Sequence, residues 1–150
     1  MEKITFQKVF YDFLEVSGHN PELTDSGDIF IKYREGSIYF QFSDNDSRFY
    51  RSIYRIDYDC ETEVIENKFY KAALITNSQI KFAKICLKEQ KGENKGGIYV
   101  VVDILLFAKN ETLKNQPSEL KKYLDISLFS TQEAINLLAE NVNEIIKEKK

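Results

Sequence analysis

The chain has a single histidine, two cysteines and no apolar stretch long enough to cross a bilayer. Each scarcity removes a class of function. A Ser-His-Asp or Cys-His mechanism would have to pass through His19. That residue sits beside Asn20 and Pro21 in a helix-ending segment, where a surface or capping role is expected. An ordinary Cys/His zinc site would need most of Cys60, Cys86 and His19 together, and their spacing gives no support for one. No CxxC pair occurs, so two reduced, unbridged thiols of a cytoplasmic protein are expected. Cys60 falls near the predicted start of a helix, whose dipole lowers a thiol pKa, but no partner base accompanies it in sequence. An inert thiol is the reading there. Cys86 alternates with Phe82 and Lys84 and is expected to be packed.

The longest apolar run, Ile98 to Phe107, is interrupted by Asp103. Charged and polar residues break every apolar stretch of Met1–Phe6, so no signal-peptide hydrophobic region can be drawn. Two sequons, at Asn45 and Asn110, would matter only after secretion. The glycine-rich segment 91–97 lacks the GxxxxGK[ST] spacing and precedes a strand, which predicts a hairpin loop and no phosphate cradle. Asp44, Asp46 and Asp57 do not complete an EF-hand pattern. No catalytic, metal or cofactor residue is assigned, no cofactor or small-molecule substrate is expected, and the chain is read as a non-enzyme. A net charge of -3 gives no electrostatic reason to expect nucleic acid or an anionic membrane.

What is present is a well-patterned globular domain. Hydrophobic content of 43% and charged content of 30% argue against general disorder. A length of 150 residues fits one domain, 1–150, with a core that needs no disulfide staple. Phe6, Val9, Phe10, Phe13 and Leu14 form one stripe of a helix over Thr5–Gly18, with Thr5 as N-cap. Strands are predicted at 29–34, 37–42 and 49–56, the first two joined by a tight turn at Glu35-Gly36. A helix follows over about 61–77, with Ile65, Phe69, Ala72, Ala73 and Thr76 on one face. Strands at 80–88 and 98–107 form a second hairpin. Residues 110–116 read as a linker and 117–124 as a short helix. Ser130-Thr131-Gln132-Glu133 reads as the capping box of a final helix, with Phe129 and Ala134 as its hydrophobic staple. The order α-β-β-β-α-β-β-α predicts a two-layer α+β fold, an antiparallel sheet with helices packed mainly on one face.

Three segments carry a resemblance to a known family. They are the hairpin Ile29-Phe30-Ile31-Lys32-Tyr33-Arg34-Glu35-Gly36, the acidic turn and strand Asp44-Asn45-Asp46-Ser47-Arg48-Phe49-Tyr50-Arg51, and Asn77-Ser78-Gln79-Ile80-Lys81-Phe82-Ala83-Lys84-Ile85. Over Thr5 to Val142 the chain resembles class I type III secretion chaperones and the related YbjN-like proteins. The resemblance implies a bacterial, chaperone-like protein that binds other polypeptides, often as a homodimer. It supplies no functional residue set, because its signatures are architectural.

Two surfaces follow from the residues themselves. Arg48, Phe49, Tyr50, Arg51, Tyr54 and Arg55 interleave bases with aromatics, as a single-stranded nucleic-acid platform would. No RNP motif accompanies them, and strand-forming aromatics with solvating arginines are the simpler account. On the long strand, Ile98, Val100, Val102, Ile104 and Leu106 should face the helices. Tyr99, Val101, Leu105 and Phe107 then lie together on the opposite face, which a two-layer fold leaves open unless residues 108–129 cover it. These four are the candidate protein-binding residues, for a second copy in a homodimer, for another polypeptide, or for both. The alternative function is single-stranded nucleic-acid binding through 48–55.

Overall fold

A computed structural model describes residues 5–42, 49–105 and 110–147. Its first helix, α1 (Phe6–Val16), begins where the Thr5 side chain accepts the Lys8 N–H at 3.2 Å. It ends where Gly18 takes a left-handed conformation (φ +86°) and the His19 N–H reaches the Leu14 carbonyl at 3.0 Å. The predicted stripe is the buried one: Phe6, Val9, Phe10 and Leu14 enter the core.

Six strands follow among the described residues: β1 (Glu22–Leu23), β2 (Ile29–Tyr33), β3 (Gly36–Phe42), β4 (Phe49–Tyr58), β5 (Ala83–Lys88) and β6 (Gly96–Leu105). They form one sheet in the order β1-β2-β3-β4-β6-β5, with every neighbouring pair antiparallel. The long helix α2 (Glu63–Gln79) carries the chain from the end of β4 to the far edge, and β6 returns between β4 and β5. The two-layer α+β fold is therefore as predicted, with β1 added. At two residues, β1 is too short to leave a periodic signal.

The β2–β3 turn corrects the predicted position by one residue. Tyr33 pairs with Gly36, so Arg34 and Glu35 make the turn and Arg34 takes the positive φ of +53°. Gly36 is instead a strand residue. A Cβ there would lie 2.3 Å from the Arg55 carbonyl oxygen and 2.7 Å from the Tyr54 ring, so glycine is required by close approach.

The largest correction is at the C-terminus. The supposed linker is helical (α3, Asn110–Asn115), and one continuous helix, α4 (Pro117–Lys147), runs through the predicted break. Ser130 and Thr131 are interior helix residues, not a cap, and Phe129 is 69% exposed instead of stapled. No Gly or Pro interrupts 118–147, and Leu120, Leu124, Ser127, Thr131, Ala134 and Leu138 keep one face buried at helical spacing throughout. A capping-box pattern inside an unbroken apolar stripe does not start a helix.

The core lies between the sheet and all four described helices. Its centre is aromatic: the Phe10 ring sits 4.9 Å from Phe40 and 5.1 Å from Tyr50. The buried Tyr50 hydroxyl donates to the Tyr123 carbonyl at 3.0 Å and lies 2.8 Å from the Ser127 hydroxyl, which ties β4 to α4. Burial pushes the Tyr50 phenol far above the usual tyrosine range. Ala72 and Ala73 let α2 approach closely. The Thr76 hydroxyl donates to the Ala72 carbonyl and accepts from the Asn141 amide, each at 2.8 Å, joining α2 to α4.

Candidate functional site: the open face of the sheet

Strand alternation sends Ile29, Ile31, Ile38, Phe40, Tyr50, Tyr54, Val100 and Val102 toward the helices, and all are buried. The described helix packing onto the sheet falls on this side. Leu120, Leu124 and Ser127 of α4 are buried with it, so residues 110–129 do not cover the other face.

That other face carries a continuous row, read straight across the pairing register: Glu22, Phe30, Tyr39, Ile53, Val101 and Lys84. The four central residues are half-buried by one another, and the Phe30 and Tyr39 rings stack at 5.5 Å. Glu22 and Lys84 at the two ends are exposed. Beside the row, Tyr99 is half-buried and Leu105 is 51% exposed. Three of the four predicted contact residues, Tyr99, Val101 and Leu105, thus share this face. Phe107 lies outside the described residues. Phe30, Tyr39 and Ile53 complete the surface; they belong to it through cross-strand register, which a single strand's sequence does not reveal.

The arginines of the face are engaged by carboxylates. Arg51 binds Asp103 through two nitrogens, at 2.6 and 3.1 Å, a contact that raises its already high pKa. Arg55 reaches Asp57 at 3.3 Å and lies over the Tyr99 ring, 5.8 Å from its centroid. Of the other predicted platform residues, Tyr50 and Tyr54 point into the core and Arg48 is outside the described residues. The alternating strand therefore separates its bases from most of its aromatics, and nucleic-acid binding is not favoured.

The remaining sequence candidates lie apart. His19 is half-buried in the loop after α1. Both thiols are free, but Cys86 is exposed on the open face, contrary to the packed position expected, because β5 presents it on the side away from the helices. Cys60 is buried, and burial, with Glu66 and Asp59 nearby, pushes its thiol up, where a helix N-terminus would have lowered it. Residues 91–94 form the expected hairpin tip, with Gly92 at φ +57°.

Two features had no sequence signal. One is a buried polar cluster: the Glu66 carboxylate accepts from the Tyr58 hydroxyl at 2.5 Å and the Gln90 N–H at 2.8 Å. The Gln90 carboxamide in turn bonds both the N–H and the carbonyl of Cys60 at 2.8 Å. The other is an apolar groove of about 710 Å³ between the end of α2, the start of β5 and α4, with Phe82 (76% exposed) and Phe129 among its lining residues. The broken-helix reading hid it, since it placed Phe129 in a staple.

The architecture is that of an antiparallel sheet with helices over one face and the other left open. No family model matches the chain, and no curated protein matches it in sequence. Among solved structures it is similar to the crystal structure of YbjN, a proposed transcription regulator from E. coli, with a TM-score of 0.61 over 95% of this chain and 97% of that one at 9% identity. The chain has a YbjN-like fold. Among the described residues no helix is long and apolar enough to cross a membrane.

Proposed function

We propose that this chain is a non-catalytic polypeptide-binding or self-associating module and that the open sheet face is its docking surface. The observation that carries the reading is the uninterrupted row Phe30, Tyr39, Ile53 and Val101, half-exposed across four strands with no described helix over it. Fully burying a large apolar side chain contributes roughly 1.5–3 kcal/mol. These residues are already half-buried, so each adds roughly half of that, and Tyr99 and Leu105 extend the sum. Association loses several kcal/mol of rigid-body freedom, so the row supports a specific contact only when most of it is covered at once. The reading assigns no cofactor, no membrane and no small-molecule substrate; the partner is a second copy, another polypeptide, or both, in the cytoplasm.

YbjN is described as a proposed regulator of transcription. Here Arg51 and Arg55 are each held by a carboxylate and the chain is acidic, which does not favour the nucleic-acid contact such a role would use.

The test compares the native chain with Val101→Glu and Ile53→Glu, after circular dichroism shows that each variant is folded. Sedimentation velocity over a concentration series reads self-association, and an immobilised array of apolar peptides reads polypeptide binding. The reading expects at least one of these in the native chain and its loss in both variants. Identical behaviour of native and variant chains in both assays overturns it.

A further inference from the structure

The row across the open face is ordered by charge as well as by polarity: acidic at the β1 edge, apolar over four strands, basic at the β5 edge. Among the described residues, neither Glu22 nor Lys84 has an ion-pair partner within the chain. A row with opposite ends is self-complementary under one twofold operation only. We infer that the occupant of this face is a second copy of the chain, related by a twofold axis that runs parallel to the strands between β3 and β4. The inference rests on the reading of the face as a docking surface and names its partner and geometry.

Rotation about that axis exchanges β1 with β5, β2 with β6 and β3 with β4. Glu22 comes opposite the partner's Lys84, Phe30 opposite the partner's Val101, and Tyr39 opposite the partner's Ile53. The neighbouring rows agree. Ser37 and Arg55 are register partners, as are Gln41 and Arg51. The same rotation therefore sets a neutral acceptor, Ser37 or Gln41, against each arginine of the partner. An axis perpendicular to the strands does the opposite. It sets Glu22 on the partner's Glu22 and Lys84 on the partner's Lys84. Like charges facing each other weaken association, so charge selects the first arrangement.

The dimensions fit. Six strands spaced by about 4.8 Å give a width of about 24 Å, and the ten-residue strands β4 and β6 a length of about 33 Å. With each strand taken at its own length the open face measures about 630 Å², at the lower end of what each partner contributes to a standard specific interface. Twofold face-to-face packing of two sheets is the aligned sandwich arrangement, and each contact is made twice.

The two sheet edges do not compete. At β5 the Asn77 side chain occupies the outward N–H and carbonyl of Ile85. At the other edge β1 is two residues long and is preceded by Pro21, which has no N–H to extend the ladder. Association by strand addition is interrupted in the middle of the one edge and curtailed at the other.

The experiment is sedimentation equilibrium at low and high salt on the full chain and on Glu22→Lys, Lys84→Glu and the double exchange Glu22→Lys/Lys84→Glu. Both sites are exposed, so folding should be unaffected, and circular dichroism checks this. Each single reversal turns two attractive pairs per dimer into repulsive ones and should raise the dimer dissociation constant roughly tenfold at low salt. The double exchange should return it to within about threefold of native, and the single effects should fade at high salt. A dimer that Val101→Glu abolishes but that ignores all three charge variants overturns this geometry and leaves the docking face standing. A native chain that is monomeric at its highest soluble concentration overturns the second copy as occupant, while peptide binding sensitive to Val101→Glu would still support the face. A dimer insensitive to Val101→Glu as well overturns both.

Discussion

The Asn77 carboxamide, on α2, makes both hydrogen bonds that a neighbouring strand would make to Ile85. Its nitrogen donates to the Ile85 carbonyl at 2.9 Å and its oxygen accepts the Ile85 N–H at 2.8 Å. Ile85 is buried, so these two groups would otherwise lack partners. One side chain thus closes the middle of an edge strand and anchors the crossover helix to it. Gln90 treats Cys60 in the same manner, so one amide clamp joins α2 to β5 and the other joins the chain just after β5 to the chain just before α2.

Asn77→Ala should therefore lower stability by about 1–3 kcal/mol, the cost of leaving buried backbone groups unmet. It should also open β5 to strand pairing between chains. Urea melts read the first effect and concentration-dependent light scattering the second. A loss below about 0.5 kcal/mol with unchanged scattering would show that water replaces the clamp.

The continuity of α4 predicts that Ser130→Ala is neutral or slightly stabilising, within about 0.5 kcal/mol, because alanine suits a helix interior better than serine. Were Ser130 a true N-cap, the same change would cost about 1 kcal/mol. Ser130→Pro should be costly, by about 3 kcal/mol, since proline removes an interior hydrogen bond. Thermal melts of the two variants decide between one helix and two.

Most of the fold was legible because it rests on local periodicity. The α1 stripe, the Thr5 cap, the strand alternation of β3, β4 and β6 and the small face of α2 are all short-range patterns. What was not legible depends on partners distant in sequence. Nothing in the sequence singles out Glu66, yet it is buried, with Tyr58 and Gln90 supplying its hydrogen bonds. Gly96 reads as loop glycine, yet it is in β6 because the Tyr58 ring lies across it, where a Cβ would sit 2.1 Å from the ring. The candidate surface shows the same division. Tyr99, Val101 and Leu105 were grouped by alternation on one strand, whereas Phe30, Tyr39 and Ile53 join them only through register.

The two thiols should differ in reactivity. Cys86 is exposed on β5 and should react with a thiol reagent in the native chain. Cys60 is buried, with its thiol pushed up by burial and by the carboxylates of Glu66 and Asp59, and should react only on unfolding. Titration with a chromogenic disulfide should therefore give one equivalent under native conditions and two in denaturant. One equivalent in denaturant without reductant would mean that a thiol had been oxidised. In a dimer of the proposed kind Cys86 lies near the rim, so its rate should fall moderately as the concentration rises.

Stability should fall steeply in alkali, and the sign follows from two buried phenols. Tyr50 is raised by burial, with the Ser127 hydrogen bond only partly offsetting it. Tyr58 is raised by burial first and then by its hydrogen bond to the Glu66 carboxylate, which a phenolate could not make. In the unfolded chain both titrate near the ordinary tyrosine value of about 10. Above that pH the unfolded state has released protons that the folded state still holds, so the folded state loses ground as pH rises. Below it both states are protonated and these two groups contribute no slope. Each phenol should add up to about 1.4 kcal/mol of lost stability per pH unit. Urea melts at intervals from neutral pH to well above the tyrosine range measure this directly. Tyr50→Phe and Tyr58→Phe each remove one titrating group and should each flatten the alkaline slope by about that amount. Their neutral-pH stability should drop, because Ser127 and Glu66 lose a partner, so the comparison is of slopes and not of levels. An alkaline slope unchanged in both variants would mean that neither phenol stays protonated in the folded chain at high pH.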